Sequence, residues 1–155
     1  MIERVQVRRL TAVDADHAKQ AIRSVKHPEP SGGISSLESL DMRAWLANPS
    51  NVLITASTDD GPVGFALGYL LNRVDGPRSM LFFYEIEVAP SFRRQSIGRM
   101  LVNTMKRVAH GEQVLKMWVQ TAPDNIAARS LYRSAGGVES EHSDLMIVWT
   151  EGGLQ

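Results

Sequence analysis

The fold of this chain is decided by a basic, glycine-containing heptapeptide, Arg93-Arg94-Gln95-Ser96-Ile97-Gly98-Arg99. An apolar stretch precedes it at residues 80–88, and apolar residues at helical spacing follow it at 97–109. This order predicts a strand, a short loop and a helix. The first N–H groups of a helix have no partner within it, and the helix dipole adds positive charge there. The loop is therefore a predicted binding site for phosphate groups.

The rest of the chain carries the same two kinds of apolar pattern, separated by glycine, proline and aspartate. Further strands are predicted at residues 5–10, 51–57, 63–71, 114–120 and 145–149, and further helices at 12–25, 35–47 and 124–135. The run at 63–71 is apolar enough to be covered on both faces. The order of elements predicts a single α/β domain, residues 1–155, with a mixed central sheet and helices on both of its faces.

Charge and composition exclude several classes of function. The 155 residues include 17 basic and 17 acidic side chains and no cysteine. Zero net charge gives no overall field to attract nucleic acid, and the lack of cysteine removes disulfides and thiolate nucleophiles. No signal peptide or membrane span is recognisable, and the four histidines show no metal-ligand spacing. We therefore expect a cytoplasmic protein without nucleic-acid, membrane or metal partners.

A second motif lies on the last predicted helix. Its members follow the spacing Asn-x-x-Ala-x-x-Leu-Tyr-x-x-x-Gly and are Asn125, Ala128, Leu131, Tyr132 and Gly136. Together with the heptapeptide, this motif resembles the GCN5-related N-acetyltransferase (GNAT) superfamily, whose acetyl-CoA loop reads Arg/Gln-x-x-Gly-x-Gly/Ala. Two positions depart from the family pattern, since Ser96 replaces a glycine and Gly137 replaces a phenylalanine. The resemblance implies a GNAT fold whose central sheet is splayed at the acetyl-CoA site.

The resemblance also implies that acetyl-CoA is bound as the acetyl donor, without a metal. Its diphosphate would lie on the backbone N–H groups of residues 94–99. Val88 would pair with the pantetheine arm and supply an N–H for the oxyanion. Asn125 either bonds the pantetheine arm or belongs to the helix start with Asp124. The implied cofactor-binding residues are Ile86, Val88, Arg93, Arg94, Gln95, Ser96, Ile97, Gly98, Arg99, Asn125 and Tyr132.

Transfer to an amine requires a base, because an ammonium group near pKa ~10.4 is almost wholly protonated at neutral pH. Glu85 and Glu87 lie two residues apart on a predicted strand, so they share one face unless a bulge intervenes. Family members place a base here, which makes Glu85 the predicted base and Glu87 the reserve. Either carboxylate could instead only solvate the strand end or attract a cation. Tyr132 matches the family's acid for the leaving thiolate, although its spacing is equally that of a core residue.

One branch of the superfamily is matched further. The segments Tyr69-Leu70-Leu71, Gly76-Pro77-Arg78-Ser79 and Tyr84-Glu85-Ile86 resemble the aminoglycoside 3-N-acetyltransferases of the gentamicin-resistance type. This resemblance implies an aminoglycoside amine as the acceptor. The alternatives are another small amine, a protein N-terminus, or a coenzyme-A-binding sensor without turnover. Family members also dimerise through C-terminal strands, so residues 145–149 form either a homodimer contact or a core strand.

A polycationic acceptor would need several carboxylates near the amine. Acidic residues in the first helices and the later loops are the candidates. They are Glu29, Glu38, Asp41, Asp75, Asp124, Glu139, Glu141 and Asp144.

Overall fold

Five strands form one sheet in the computed structural model, which describes residues 4–26, 37, 40–141 and 147. In spatial as in chain order they are β1 (Gln6–Arg9), β2 (Asn51–Thr58), β3 (Gly61–Leu71), β4 (Met80–Val88) and β5 (Met117–Val119). Neighbouring strands are antiparallel from β1 to β4, whereas β5 runs parallel to β4. The predicted mixed sheet is confirmed.

Helices cover both faces of this sheet, as predicted. They are α1 (Ala15–Val25), α2 (Met42–Ala47), α3 (Ile97–Gly111) and α4 (Ile126–Ser134). The first two pack on one face, which we name the α1/α2 face. α3 packs on the opposite face, the α3 face, and α4 lies beside it. Each face therefore has its own apolar core.

The two cores meet at β3, whose successive residues point to opposite faces. Phe65 is buried beneath α1 and α2, whereas the adjacent Gly64 lies against Leu101 of α3. A Cβ at position 64 would lie 3.0 Å from the carbonyl oxygen of Glu87 and 3.2 Å from the Leu101 side chain. This glycine therefore allows α3 to approach the sheet, and the strand is covered on both faces as its apolar run predicted.

The helix predicted at 35–47 is interrupted, so its continuity was wrong. Asp41 accepts a hydrogen bond from the Ala44 N–H through Oδ1 (3.0 Å) and begins α2, while Leu40 ahead of it forms a bend. A short acidic side chain that binds a nearby N–H favours the start of a helix over its continuation. Among residues 27–39 only Leu37 is described, and it is helical.

Regular structure after α3 is shorter than predicted. β5 retains three residues of the expected 114–120, because its pairing with β4 ends at Phe83. The strand predicted at 145–149 lies outside the described residues apart from Ile147, whose side chain is exposed. The homodimer contact expected there stays a prediction.

The sheet opens between β4 and β5. Their pairing covers only residues 81–83 of β4 and 117–119 of β5, while β4 continues to Val88 and stays paired with β3. Beyond Phe83, the side of β4 that faces away from β3 has no neighbouring strand among the described residues. The splay that the resemblance implied is therefore present, and it lies beside the heptapeptide loop.

Candidate active site

The heptapeptide forms a loop of unpaired backbone donors at the N-terminus of α3. The Arg93 N–H donates to the Pro90 carbonyl (3.3 Å), and the first bond into the helix runs from the Met100 N–H to the Ser96 carbonyl (3.0 Å). Between them, the N–H groups of residues 94–99 donate to no acceptor in the described part of the chain. Consecutive free donors at a helix N-terminus suit an anionic phosphate. That a diphosphate binds them stays a prediction.

Two residues of the loop hold left-handed backbone. The φ angles are 63° at Arg94 and 64° at Ser96. This region is strained for a residue that carries a Cβ, and glycine occupies it without penalty. Ser96 thus adopts a conformation suited to the glycine of the family pattern. Its hydroxyl makes no capping hydrogen bond to α3, so the side chain does not block the N–H groups.

The predicted cofactor residues of the loop have different environments. Arg93, Arg94, Gln95, Ser96 and Arg99 are exposed. Ile97 is buried in the core of the α3 face, so only its N–H is available to a ligand. Gly98 faces α4, where a Cβ would lie 3.2 Å from Leu131 Cδ2. This glycine therefore serves the packing of the two helices as well as the loop.

β4 presents backbone groups to the gap in the sheet. The Ala89 N–H donates to the Val63 carbonyl at 2.9 Å, so Ala89 faces β3. Because backbone groups of successive strand residues point to alternate sides, those of Val88 and Ile86 face the gap. The Val88 carbonyl accepts a hydrogen bond from Arg93 Nε (3.1 Å), and its N–H remains for a ligand. Val88 is the residue predicted to pair with pantetheine, and Ile86 is the other strand residue among the predicted cofactor-binding residues.

A bulge in β4 determines which face carries its two glutamates. Leu67 pairs with Glu85 and Gly68 with Phe83, which leaves Tyr84 as an extra residue. Before the bulge Phe83 lies in the core of the α3 face, whereas after it Ile86 and Val88 occupy that face. Glu85 and Glu87 therefore share the α1/α2 face, as their spacing predicted. The bulge precedes both residues and does not separate them.

A pocket of about 180 Å³ opens on the α1/α2 face beside Glu85. Among the described residues that line it, the Glu85 carboxylate and the Lys26 ammonium are the charged groups, and the others are aromatic or aliphatic. The lining consists of Ile22, Lys26, Leu40, Met42, Trp45, Leu53, Phe65, Leu67, Tyr69 and Glu85. Of the two predicted bases, Glu85 lines this pocket and Glu87 does not.

Glu85 is not free in this pocket, because it forms an ion pair with Lys26. The Lys26 Nζ lies 2.8 Å from Oε1 and 2.9 Å from Oε2 of the carboxylate. The Glu85 side chain is 19% exposed and that of Lys26 40%. Lys26 directly follows α1, so the ammonium reaches the sheet from the helix end. The Glu87 side chain makes no ion pair or hydrogen bond with the described residues.

A row of aromatic rings extends from the pocket along the α1/α2 face. Trp45 packs edge-on against Tyr69, and Tyr69 packs edge-on against Tyr84, with centroids 6.4 and 5.7 Å apart. Phe82 continues the row beside Tyr84 and stacks on Trp118 of β5 at 5.2 Å. Burial raises the pKa of the Tyr69 hydroxyl, and Tyr84 and Glu85 act in the same direction. Tyr69 therefore stays a neutral donor beside the carboxylate at neutral pH.

Tyr132 lies on the α3 face. Its ring packs edge-on against Phe83 with centroids 6.0 Å apart, and it belongs to the apolar face of α4. Its hydroxyl makes no hydrogen bond to the described residues, and burial raises the pKa of that hydroxyl. Tyr132 therefore has the packing of a core residue and, at neutral pH, a protonated hydroxyl. Its action on the leaving thiolate stays a prediction.

Asn125 caps α4. Its Oδ1 accepts the Ala128 N–H at 3.1 Å. The helix-start interpretation is therefore the one that the structure supports, while the amide Nδ2 remains a donor.

The described acidic residues among those considered for a polycation do not gather at the pocket of Glu85. Asp41 caps α2, and Asp75 pairs with Arg73. Arg129 and Arg133 hold Glu139 and lower its carboxyl pKa to about 2. Glu29, Glu38 and Asp144 lie outside the described residues. Among the described candidates, none lines the pocket of Glu85.

Sequence reasoning missed Lys26, the bulge at Tyr84 and the aromatic row. Lys26 is 59 residues from Glu85 and gives no local signal. The two tryptophans, two tyrosines and one phenylalanine of the row come from α2, β3, β4 and β5, so only the fold and the sheet register bring them together. Within the described residues, no group of His, Asp and Glu could hold a metal ion, and no helix is long and apolar enough to cross a bilayer.

Comparison with known proteins identifies a family and a fold. The model of the acetyltransferase (GNAT) family matches residues 19–136. No curated protein sequence matches the chain significantly. The matched residues include the C-terminal part of α1, strands β2 to β5, the heptapeptide loop and the second motif.

Solved structures share the fold at low sequence identity. An aminoglycoside acetyltransferase, meta-AAC0020 from an uncultured soil metagenomic sample, in complex with sisomicin, is 17% identical with a TM-score of 0.78, over 94% of this chain and 95% of that one. The aminoglycoside N-acetyltransferase AAC(6')-Iy in complex with CoA is 19% identical, with a TM-score of 0.75 over 97% of both chains.

A structure with a different acceptor is also similar. The ribosomal-protein-alanine N-acetyltransferase from Brucella melitensis biovar Abortus 2308 is 17% identical, with a TM-score of 0.67, over 94% of this chain and all of that one (100%). These similarities show the fold. The named aminoglycoside enzyme is of the 6' type, whereas the sequence segments resemble the 3-N type.

Proposed function

The chain belongs to the acetyltransferase (GNAT) family, and we propose that it transfers the acetyl group of acetyl-CoA directly to a primary amine of an aminoglycoside. One observation carries the proposal. Glu85 lines a pocket on the α1/α2 face. The backbone groups of Ile86, the next residue of β4, face the gap beside the loop of free N–H groups. An acceptor and a coenzyme would thus meet at one strand of the sheet.

The chain's own residues divide the reaction between them. The N–H groups of residues 94–99 bind the diphosphate, and the N–H of Val88 stabilises the developing oxyanion. Glu85 accepts a proton from the acceptor ammonium, which frees the amine to attack the thioester. Tyr132, protonated at neutral pH, donates to the departing thiolate. Glu87 adds negative charge on the same face and attracts a cationic acceptor.

The aminoglycoside acceptor is supported by the chemistry of the pocket. A carboxylate recognises an ammonium group, and the rings of Trp45 and Tyr69 provide faces on which a sugar or a cation can lie. Structures named as aminoglycoside acetyltransferases share the fold over nearly the whole chain. NMR of the acetylated product would show whether the amino group at position 3 or at position 6' of the aminoglycoside has reacted.

The proposal is tested by thiol release from acetyl-CoA with aminoglycosides, polyamines and short peptides with free N-termini. We expect turnover with aminoglycosides, and a fall on the order of 10²-fold in kcat for Glu85→Gln and for Tyr132→Phe. Glu112→Gln removes an exposed carboxylate that pairs with Arg9 and is the matched control. Its turnover should equal that of the parent.

Other results would change the assignment. Release only with a peptide or a polyamine would keep the acetyltransferase mechanism and replace the acceptor. Coenzyme A binding without release from any acceptor would identify a binding module, and full activity in both variants would refute the roles given to Glu85 and Tyr132.

A further inference from the structure

The ion pair between Lys26 and Glu85 places an amine of the protein where an acceptor amine has to be. In direct transfer, the acceptor ammonium gives a proton to the base, directly or through one water, before its nitrogen attacks the thioester. The Lys26 Nζ already contacts both oxygens of Glu85, at 2.8 and 2.9 Å, inside the pocket. Lys26 is a primary amine on a flexible four-carbon stem, chemically of the same class as the proposed acceptors.

We propose that Lys26 is a site of self-acetylation: when no acceptor occupies the pocket, the protein transfers acetyl from its own bound acetyl-CoA to Lys26 Nζ. The proposal rests on the proposed function, since Glu85 and the coenzyme site must be active. It goes beyond that function because the acceptor is a side chain of the enzyme. The modification is intramolecular, so one acetyl group is added per chain at this residue.

Acetylation of Lys26 forms one C–N bond and breaks one C–S bond. Glu85 takes one proton from the Lys26 ammonium, and the nitrogen lone pair forms a C–N bond with the acetyl carbonyl carbon. The C–S bond breaks, its electron pair leaves with sulfur, and the thiolate takes up the second ammonium proton to give coenzyme A. The products are acetyl-lysine, the coenzyme thiol and one proton released to solvent through Glu85.

The modification would change the pocket. An acetylated Lys26 has no charge, so it can no longer form the ion pair, and Glu85 becomes available to an external ammonium group. A cationic acceptor competes with unmodified Lys26 for the same carboxylate. An acceptor that is turned over should therefore protect Lys26 from acetylation.

Two of the other lysines, Lys106 and Lys116, provide internal controls. Lys106 donates its Nζ to the carbonyl of Ala135 at 2.7 Å, on the α3 face and away from the pocket. Lys116 precedes β5 and is exposed. Neither side chain lines the pocket of Glu85, so any acetylation of them reports the uncatalysed reaction with acetyl-CoA.

The experiment incubates the purified full chain with isotopically labelled acetyl-CoA and no acceptor, and locates the label by peptide mass spectrometry. We expect label at Lys26, with a first-order rate that does not change over a ~10-fold range of protein concentration. Glu85→Gln should slow the labelling of Lys26 on the order of 10²-fold and leave that of Lys106 and Lys116 unchanged. Lys26→Arg keeps a cation on Glu85 but removes the nucleophile, so the pocket should stay unlabelled.

A measurement on the unmodified protein avoids any dependence on a variant that folds poorly: an acceptor that is turned over should suppress Lys26 labelling. Turnover of an external amine with no label at Lys26 would overturn the inference and leave the proposed function intact. Equal labelling of Lys26 and Lys106, insensitive to Glu85→Gln, would also overturn it. Coenzyme binding with neither external turnover nor label at Lys26 would refute the proposed function itself.

Discussion

Replacing Ser96 by glycine should stabilise the protein, although a cap residue is removed. The backbone at Ser96 has a φ of 64° and a ψ of 5°, in the left-handed region. A residue with a Cβ is disfavoured there by about 1–2 kcal/mol, and glycine is not. The serine hydroxyl makes no capping hydrogen bond, so no contact is lost. The greater freedom of glycine in the unfolded chain offsets about 0.5–1 kcal/mol of the gain.

The expected net effect is a rise of about 0.5–1 kcal/mol in the free energy of unfolding. For a domain of this size it corresponds to a Tm increase of about 1–4 °C. Urea unfolding and a thermal melt measure both quantities. Coenzyme A affinity should not fall, because the N–H groups of the loop keep the same directions.

Ser91→Gly is the matched control for this substitution. Ser91 lies in the 3-10 turn Pro90–Phe92, has no left-handed backbone, and contributes its carbonyl to a bond from Gln95 Nε2 that glycine retains. This variant should lose about 0.5–1 kcal/mol. The reasoning would be refuted if Ser96→Gly were less stable than the parent or changed stability in parallel with Ser91→Gly.

Two further predictions concern the scaffold. Gly64→Ala should lower the free energy of unfolding, measured by urea titration, by about 1–3 kcal/mol, because the new Cβ would lie 3.0 Å from the Glu87 carbonyl oxygen. Gly111→Ala is the control, since a Cβ there has no atom within 4 Å, and it should raise the free energy of unfolding or leave it unchanged. Burial, followed by the charge of Arg8, lowers the pKa of His17 below its ordinary value of 6.5. The unfolded chain then binds more protons at this residue, so its contribution to stability is full above about pH 6.5 and declines as the pH falls below it. His17→Gln should therefore weaken the dependence of the free energy of unfolding on pH in this range. An unchanged pH dependence would contradict the assignment.

The parts of the fold that follow from local sequence could be predicted. The heptapeptide, its preceding strand and its helix are contiguous, so periodicity and helix-terminus chemistry predicted a loop of free N–H groups there, and the family resemblance implied residues 94–99. The bounds of β4 were also correct at Met80 and Val88. The break at Asp41 was missed because the side chain of one residue competes there with a favourable helical pattern.

The parts that depend on register could not be predicted from the sequence. Strict alternation along β4 would place Glu85 and Glu87 on the same face as Leu81 and Phe83, which are buried under α3. Only the extra residue at Tyr84, visible in the pairing with β3, moves both glutamates to the α1/α2 face. The partner of Glu85 was equally hidden, because an ion pair across 59 residues leaves no spacing in the sequence.

The bulge at Tyr84 connects the two halves of the candidate site. Without the bulge, the backbone N–H and C=O groups of Ile86 and Val88 would point to β3 and form hydrogen bonds with it. Neither residue would then offer a free backbone group to the gap. The same single residue turns the carboxylate of Glu85 to the pocket. One extra residue therefore reverses the directions of both the side chains and the backbone groups that follow it. As a result, an acceptor on the α1/α2 face and a coenzyme in the gap would contact the same few residues of β4. The irregularity in the sheet is thus the structural basis on which both substrates can meet.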